Sequence, residues 1–143
     1  MSEIKFSLNL AATSEKLMQV ATDYSNLSKY CPQQLKSIEI VEQNNDGIIT
    51  EEIISLSMFK KEIKQKTLHK NSSNNKLHSE IISGPAKGTT INILYEKMDS
   101  GTKVMININL KISLTFKILQ PLIEKYYKLM MTSILFRMNT VAL

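Results

Sequence analysis

The sequence predicts an α+β fold in which a curved antiparallel sheet of seven strands wraps around one long C-terminal helix. Three observations carry this reading. Seven segments alternate apolar and polar residues with a period of two, the mark of strands with one buried face. The glycines fall between those segments, where tight turns need them. From about Phe116 the apolar spacing changes to three and four, the mark of one helix face.

The first strand holds Ile4, Phe6, Leu8 and Leu10 against Lys5, Ser7 and Asn9. Two short helices follow it. Thr13 offers a hydroxyl cap to a helix over about 14–22, although Lys16 and Leu17 leave the full capping box unmade. A second helical piece covers Tyr24 to Tyr30 and ends at Cys31-Pro32, because the residue before a proline is pushed out of the α region. Strands are then expected near 35–43, 47–57, 60–70, 75–83, 89–98 and 102–114. Their connections are read at Asn-Asn-Asp-Gly47, the polar run Asn71 to Asn75, Gly84-Pro-Ala-Lys-Gly88 and Asp-Ser-Gly101. The last strand alternates most cleanly, from Val104, Ile106 and Ile108 through Leu110, Ile112 and Leu114.

In the C-terminal segment, Leu119, Ile123, Tyr126, Met130, Ile134, Met138 and Val141 share a face opposite Glu124, Lys125, Lys128 and Thr132. Pro121 either opens this helix or kinks it, since it lacks a backbone donor. About 24 helical residues would span roughly 36 Å, long enough to cover a strongly curved sheet. The chain of 143 residues reads as one domain, 1–143.

Composition narrows the function classes. Charged residues make up 22% and mean hydropathy is −0.12, against a membrane-embedded or disordered chain. Eighteen basic residues against 13 acidic ones give a net charge of +5. All but Arg137 are lysines, so the planar, bidentate readout typical of nucleic-acid binding is poorly supplied, and no nucleic-acid partner is expected. Cys31 is the only cysteine, which leaves no intrachain disulfide, no Cys-rich zinc site and no CxxC redox motif. With no secretory signal pattern in the first residues and no apolar run of membrane-spanning length, a cytoplasmic location is expected.

The segment Asp23, Tyr24, Asn26, Tyr30 and Pro32, the Gly84-Pro-x-x-Gly88 loop, the Gly101-Thr102-x-Val104 hairpin and Gln120-Pro-Leu-Ile123 together resemble the START-like superfamily, also called SRPBCC, which has the helix-grip fold. They look most like its polyketide cyclase/dehydrase-like or coenzyme Q-binding-like branches. The resemblance covers essentially the whole chain, and each motif is a packing or turn feature rather than a catalytic one. It implies a cavity between sheet and helix, used among relatives for lipids, isoprenoids, polyketides and other apolar ligands. It also implies an entrance bordered by Gly84–Gly88 and Tyr24–Pro32.

The more apolar register of each strand places Ile4, Phe6, Leu8, Ile38, Ile40, Ile63, Leu77, Ile81, Ile91, Ile93, Val104, Ile106 and Ile108 inward, joined by Ile123, Tyr126, Met130 and Ile134 of the helix. These residues would form either a filled core or a cavity lining, which look alike in sequence. The inward polar groups are more diagnostic: Gln65, Thr67, Ser79, Tyr95 and Tyr126 would put neutral hydrogen-bonding groups against an apolar volume. Ligand contact is therefore expected from Phe6, Ile63, Gln65, Thr67, Ser79, Ile93, Tyr95, Ile106, Ile123, Tyr126, Met130 and Ile134. Mutual pairing or bound water would satisfy the polar ones equally well.

No catalytic residue, metal ligand or cofactor is assigned. His69 and His78 have neither a third ligand nor a metal-binding motif beside them, and His69, near a strand end, is expected to be exposed. GxSxG is absent, and the Gly84–Gly88 loop lacks the GK[ST] order of a phosphate loop. Lys60, Lys61, Lys64, Lys66 and Lys70 read as a solvated sheet face, or as a weak contact with an anionic membrane. The expected function is binding or transport of an apolar or amphipathic small molecule. The alternatives are a cyclase or dehydratase-like enzyme, with Tyr95, Tyr126 or His69 moving a proton, and a protein-interaction or co-chaperone module.

Overall fold

The computed structural model describes residues 2–56, 60–73 and 75–143. Its strands are β1 (Ser2–Leu10), β2 (Leu35–Asn44), β3 (Gly47–Leu56), β4 (Lys61–Ser73), β5 (Lys76–Ser83), β6 (Thr90–Met98) and β7 (Gly101–Leu110). Between β1 and β2 lie α1 (Ser14–Ala21) and a 3-10 helix (Tyr24–Tyr30); after β7 come a second 3-10 helix (Leu114–Leu119) and α2 (Gln120–Ala142). The seven strands form one antiparallel sheet in the order β1-β7-β6-β5-β4-β3-β2, with α2 packed against α1, β1 and the first 3-10 helix. The expected α+β helix-grip architecture is the observed one.

Local chemistry explains the boundaries. Thr13 caps α1 by accepting the Lys16 amide at 3.3 Å. Pro121 lies in the first turn of α2, where its missing N–H costs nothing, so this helix begins at the proline instead of kinking there. Gly47 turns β2 into β3 with φ of 143°, and a Cβ there would collide with the His69 carbonyl oxygen of β4. The expected end of β3 at residue 57 lies outside the described residues, as does position 74 of the expected polar turn. That turn is narrower than expected, since β4 continues to Ser73.

Three expectations need correction. The last strand stops at Leu110 instead of reaching 114, because the Thr89 hydroxyl engages both the amide and the carbonyl of Lys111 at 2.9 and 3.0 Å and takes the place of a ladder partner. Ile112 still turns inward, but Leu114 is exposed. Ile40, expected inside, is also exposed: β2 is a sheet edge whose register shifts between Leu35 and Ser37 and again after Ile40. Finally, the buried face of α2 is broader than the expected stripe. Tyr127, Met131, Leu135 and Ala142 join Ile123, Tyr126, Met130 and Met138, while Val141 points out. At 3.6 residues per turn a helix drifts away from a strict seven-residue stripe, and a concave sheet wraps more than one row of side chains.

Candidate functional site

Two cavities lie beneath α2. The larger offers about 140 Å³ to the centres of water-sized spheres, roughly ten times what one water needs. Its apolar wall comes from β5 and β6 (Leu77, Ile81, Ile91, Ile93) and from α2 (Met130, Met131, Ile134, Leu135, Met138). Tyr24 and Leu27 of the first 3-10 helix close one side. The smaller, about 30 Å³, lies toward the start of α2 among Leu56, Ile63, Pro85, Ala86, Ile112, Phe116, Ile123 and Tyr126. Ile54, Gln65 and Tyr127 border both.

The sequence-derived site residues divide between these spaces. Gln65, Thr67, Ser79, Ile93, Tyr95, Met130 and Ile134 line the larger cavity. Ile63, Ile123 and Tyr126 line the smaller one, where the Tyr126 hydroxyl donates to the Gln34 carbonyl at 3.3 Å. Phe6 and Ile106 border neither; they flank an open groove beside Lys5, Lys76 and Asn92. Ile106 is buried in the sheet, and Lys128 of α2 lies 5.6 Å from the centre of the Phe6 ring.

On β3, β4 and β5 the larger cavity has a polar wall. Antiparallel pairing sets Glu52 opposite Gln65, Thr50 opposite Thr67, and His69 opposite Ser79. Glu52 is 6% exposed and its carboxylate accepts three hydrogen bonds: Thr67 (2.5 Å) and Gln65 (3.2 Å) at Oε1, and Thr50 (2.7 Å) at Oε2. The one hydroxyl hydrogen of Thr50 is thereby committed to the carboxylate. Its oxygen accepts from His69 Nε2 at 2.8 Å, which leaves Nδ1 to accept from Ser79 at 2.8 Å. Ser79, His69, Thr50 and Glu52 thus form one chain of hydrogen bonds across three strands, and Tyr24 stacks on the imidazole at 4.3 Å.

Burial sets the charge states of this chain. It lowers the His69 imidazole to about 4, so the ring is neutral at physiological pH. It pushes the Glu52 carboxyl above the usual carboxylate range, an effect opposed by the bonds from Thr67, Thr50 and Gln65 and reinforced by neighbouring Glu51. Burial also raises the Tyr95 and Tyr127 phenols, and the Glu52 charge adds to it at Tyr127. The expectation that His69 is exposed is therefore corrected: both ring nitrogens are bonded and the ring is stacked. His78, by contrast, lies on the outer side against Asn92 at 2.6 Å. Of the β4 lysines, Lys64 lies outward and meets Glu51 at 3.4 Å, whereas Lys61, paired with Leu56, lies 5.6 Å from the centre of the Phe116 ring. Cys31 is packed, with its thiol bonded to Gln34 at 2.7 Å.

Sequence reasoning missed Glu52 and Thr50. Both faces of β3 carry apolar residues, Ile49 and Ile53 on one and Ile54 and Leu56 on the other, so its parity is ambiguous. The signal lay in the partner strand: once Gln65 and Thr67 are inward, the pairing of β4 with β3 makes Glu52 and Thr50 inward too. Among the described residues no group of His, Cys, Asp and Glu is arranged to hold a metal ion. No helix of those residues is long and apolar enough to cross a membrane.

No protein-family model and no curated protein matches the sequence. Solved structures do match it. The Zhui aromatase/cyclase from Streptomyces sp. R1128 superposes with a TM-score of 0.82 over 99% of this chain and 93% of that one, at 9% identity. A START superfamily protein from Mycobacterium smegmatis gives 0.80 over 98% and 96%, at 12% identity. A protein from Thermus thermophilus gives 0.81 over 99% and 100%, at 14% identity. With a seven-stranded antiparallel sheet closed over a long C-terminal helix, and these superpositions along nearly its whole length, the chain has the START-like helix-grip fold.

Proposed function

We propose that this protein binds and carries an apolar or amphipathic small molecule, of lipid, isoprenoid or polyketide type, in the larger cavity under α2. The observation that carries the reading is the composition of that space: a largely apolar enclosure with its polar groups gathered on one wall. Burial of the ligand's apolar surface would supply affinity, at about 25 cal/mol/Å². Gln65, Thr67, Ser79 and Tyr95 would orient it, with Ile93, Met130 and Ile134 enclosing its body. Native mass spectrometry of gently purified protein, followed by denaturing extraction, tests this. A stoichiometric apolar compound is expected, whereas protein that stays empty when challenged with apolar ligands would sink the carrier reading.

The chain Ser79–His69–Thr50–Glu52 favours one second reading, a cyclase or dehydratase-like enzyme. A neutral imidazole hydrogen-bonded through a hydroxyl to a carboxyl can take a proton on one side and release one on the other, so the wall has the parts of an acid–base relay. The similar fold of the Zhui aromatase/cyclase supports this reading at the level of architecture. Turnover of a reactive polyketone mimic that His69→Gln abolishes, with ligand binding retained, would place the enzyme ahead of the carrier.

A further inference from the structure

We propose that the larger cavity selects a positively charged amphiphile, an organic amine whose apolar body lies under α2 and whose ammonium group sits against Glu52. This rests on the reading of the cavity as a small-molecule site and names the charge class of its ligand.

Among the described residues, Glu52 is the only carboxyl group on the wall, and no lysine or arginine lines it. A carboxyl group buried this deeply is ordinarily either matched by a cation or neutralised by a proton, and the three donors aimed at Glu52 favour its ionised form. The ion pairs formed among the described residues, Lys5 with Glu3 and Lys64 with Glu51, are both elsewhere on the surface. The one basic group within reach, His69, is held neutral and has both nitrogens engaged. Among the described residues Glu52 is therefore surrounded by neutral donors, with no positive charge on the cavity wall.

The acceptor geometry is incomplete as well. Oε1 takes two hydrogen bonds and Oε2 only one, although each carboxylate oxygen can accept about two. The open position suits an N–H⁺ donor. The other groups fit the same ligand. Tyr127, whose phenol feels the Glu52 charge, and Tyr95 add aromatic surface and hydroxyl oxygens that a cation favours. The flexible thioethers of Met130, Met131 and Met138 can adapt to the shape of an apolar body. An anionic amphiphile such as a fatty acid would bring a second carboxylate toward the first, with no lysine or arginine on the wall to offset their repulsion.

The test is a calorimetric comparison of three probes of nearly equal shape, 2-naphthylmethylamine, 2-naphthylmethanol and 2-naphthoate, at about pH 8, where the amine is still mostly charged. The amine is expected to bind at least about tenfold more tightly than the alcohol, with the carboxylate weakest. Glu52→Gln, which keeps the shape and one acceptor oxygen but removes the charge, should erase the advantage of the amine over the alcohol. Binding of the alcohol or carboxylate as tight as that of the amine would overturn charge selection while leaving the carrier reading intact. Retention of the amine preference in Glu52→Gln would overturn charge selection by this carboxyl group in the same way. Failure of all three probes to bind folded protein would overturn both. The ranking on the unmodified protein decides the matter even if the variant folds poorly.

Discussion

The two ends of the space under α2 are built on opposite principles. Toward the start of the helix, Leu56, Ile63, Ile112, Phe116 and Ile123 close down to a cavity of about 30 Å³, and the Tyr126 hydroxyl ties the helix to the Gln34 carbonyl. Toward its middle, the same helix stands over about 140 Å³ with a buried carboxyl, a neutral imidazole and three hydroxyl side chains on the facing strands. The first end stabilises the fold by filling space. The second gives up packing and desolvates polar groups, costs that a domain of marginal stability carries only where another selection operates. Stability therefore belongs mainly to the narrow end, and the proposed ligand site lies at the wide one.

The largest effect that bears on this contrast is at the narrow end. Ile123→Ala is expected to lower unfolding free energy by about 2–5 kcal/mol, since its neighbours already enclose it closely. Ile134→Ala, half-buried against existing open space, should cost less than half as much. Equal losses in urea denaturation would erase the distinction between the two ends.

A second effect of comparable size is read from pH. His69 titrates at about 4 when folded and 6.5 when unfolded, so between those values the unfolded chain binds more protons and stability falls as pH falls. The loss amounts to up to about 3 kcal/mol by pH 4. His69→Gln should flatten this part of the profile, and an unchanged acid limb would show that the imidazole is not buried neutral.

Glu52 contributes with the opposite sign and more weakly, because its three hydrogen bonds offset part of the burial cost. Its folded carboxyl holds a proton at pH values where the unfolded one has lost it, so its stabilising contribution is lost as pH rises through the folded value. Glu52→Gln should therefore raise the urea midpoint at neutral to alkaline pH, with the gain shrinking as pH falls toward 4.5. The smallest effect lies outside the cavity. Lys64→Ala removes an exposed partner of Glu51 and should change stability by less than about 1 kcal/mol, with ligand binding intact.

Pattern in the chain determined much of this fold by itself. Period-two alternation in β1 and β7, a hydroxyl cap at Thr13, glycine at the turns and Pro121 in a first helical turn are consequences of backbone sterics and of which face must leave water, so they are written locally. The inward polar residues Gln65, Thr67, Ser79 and Tyr95 were legible for the same reason. Tertiary structure alone decided the rest. Which face of β3 is buried depended on its register with β4 across a connection without glycine, and that choice put Glu52 inside and Glu51 out. His69 became a half-buried, neutral group because Tyr24, Thr50 and Ser79, far apart in sequence, meet around its ring. Whether apolar side chains fill a core or leave a cavity depends on how volumes from distant segments sum in space, and no local period encodes that sum.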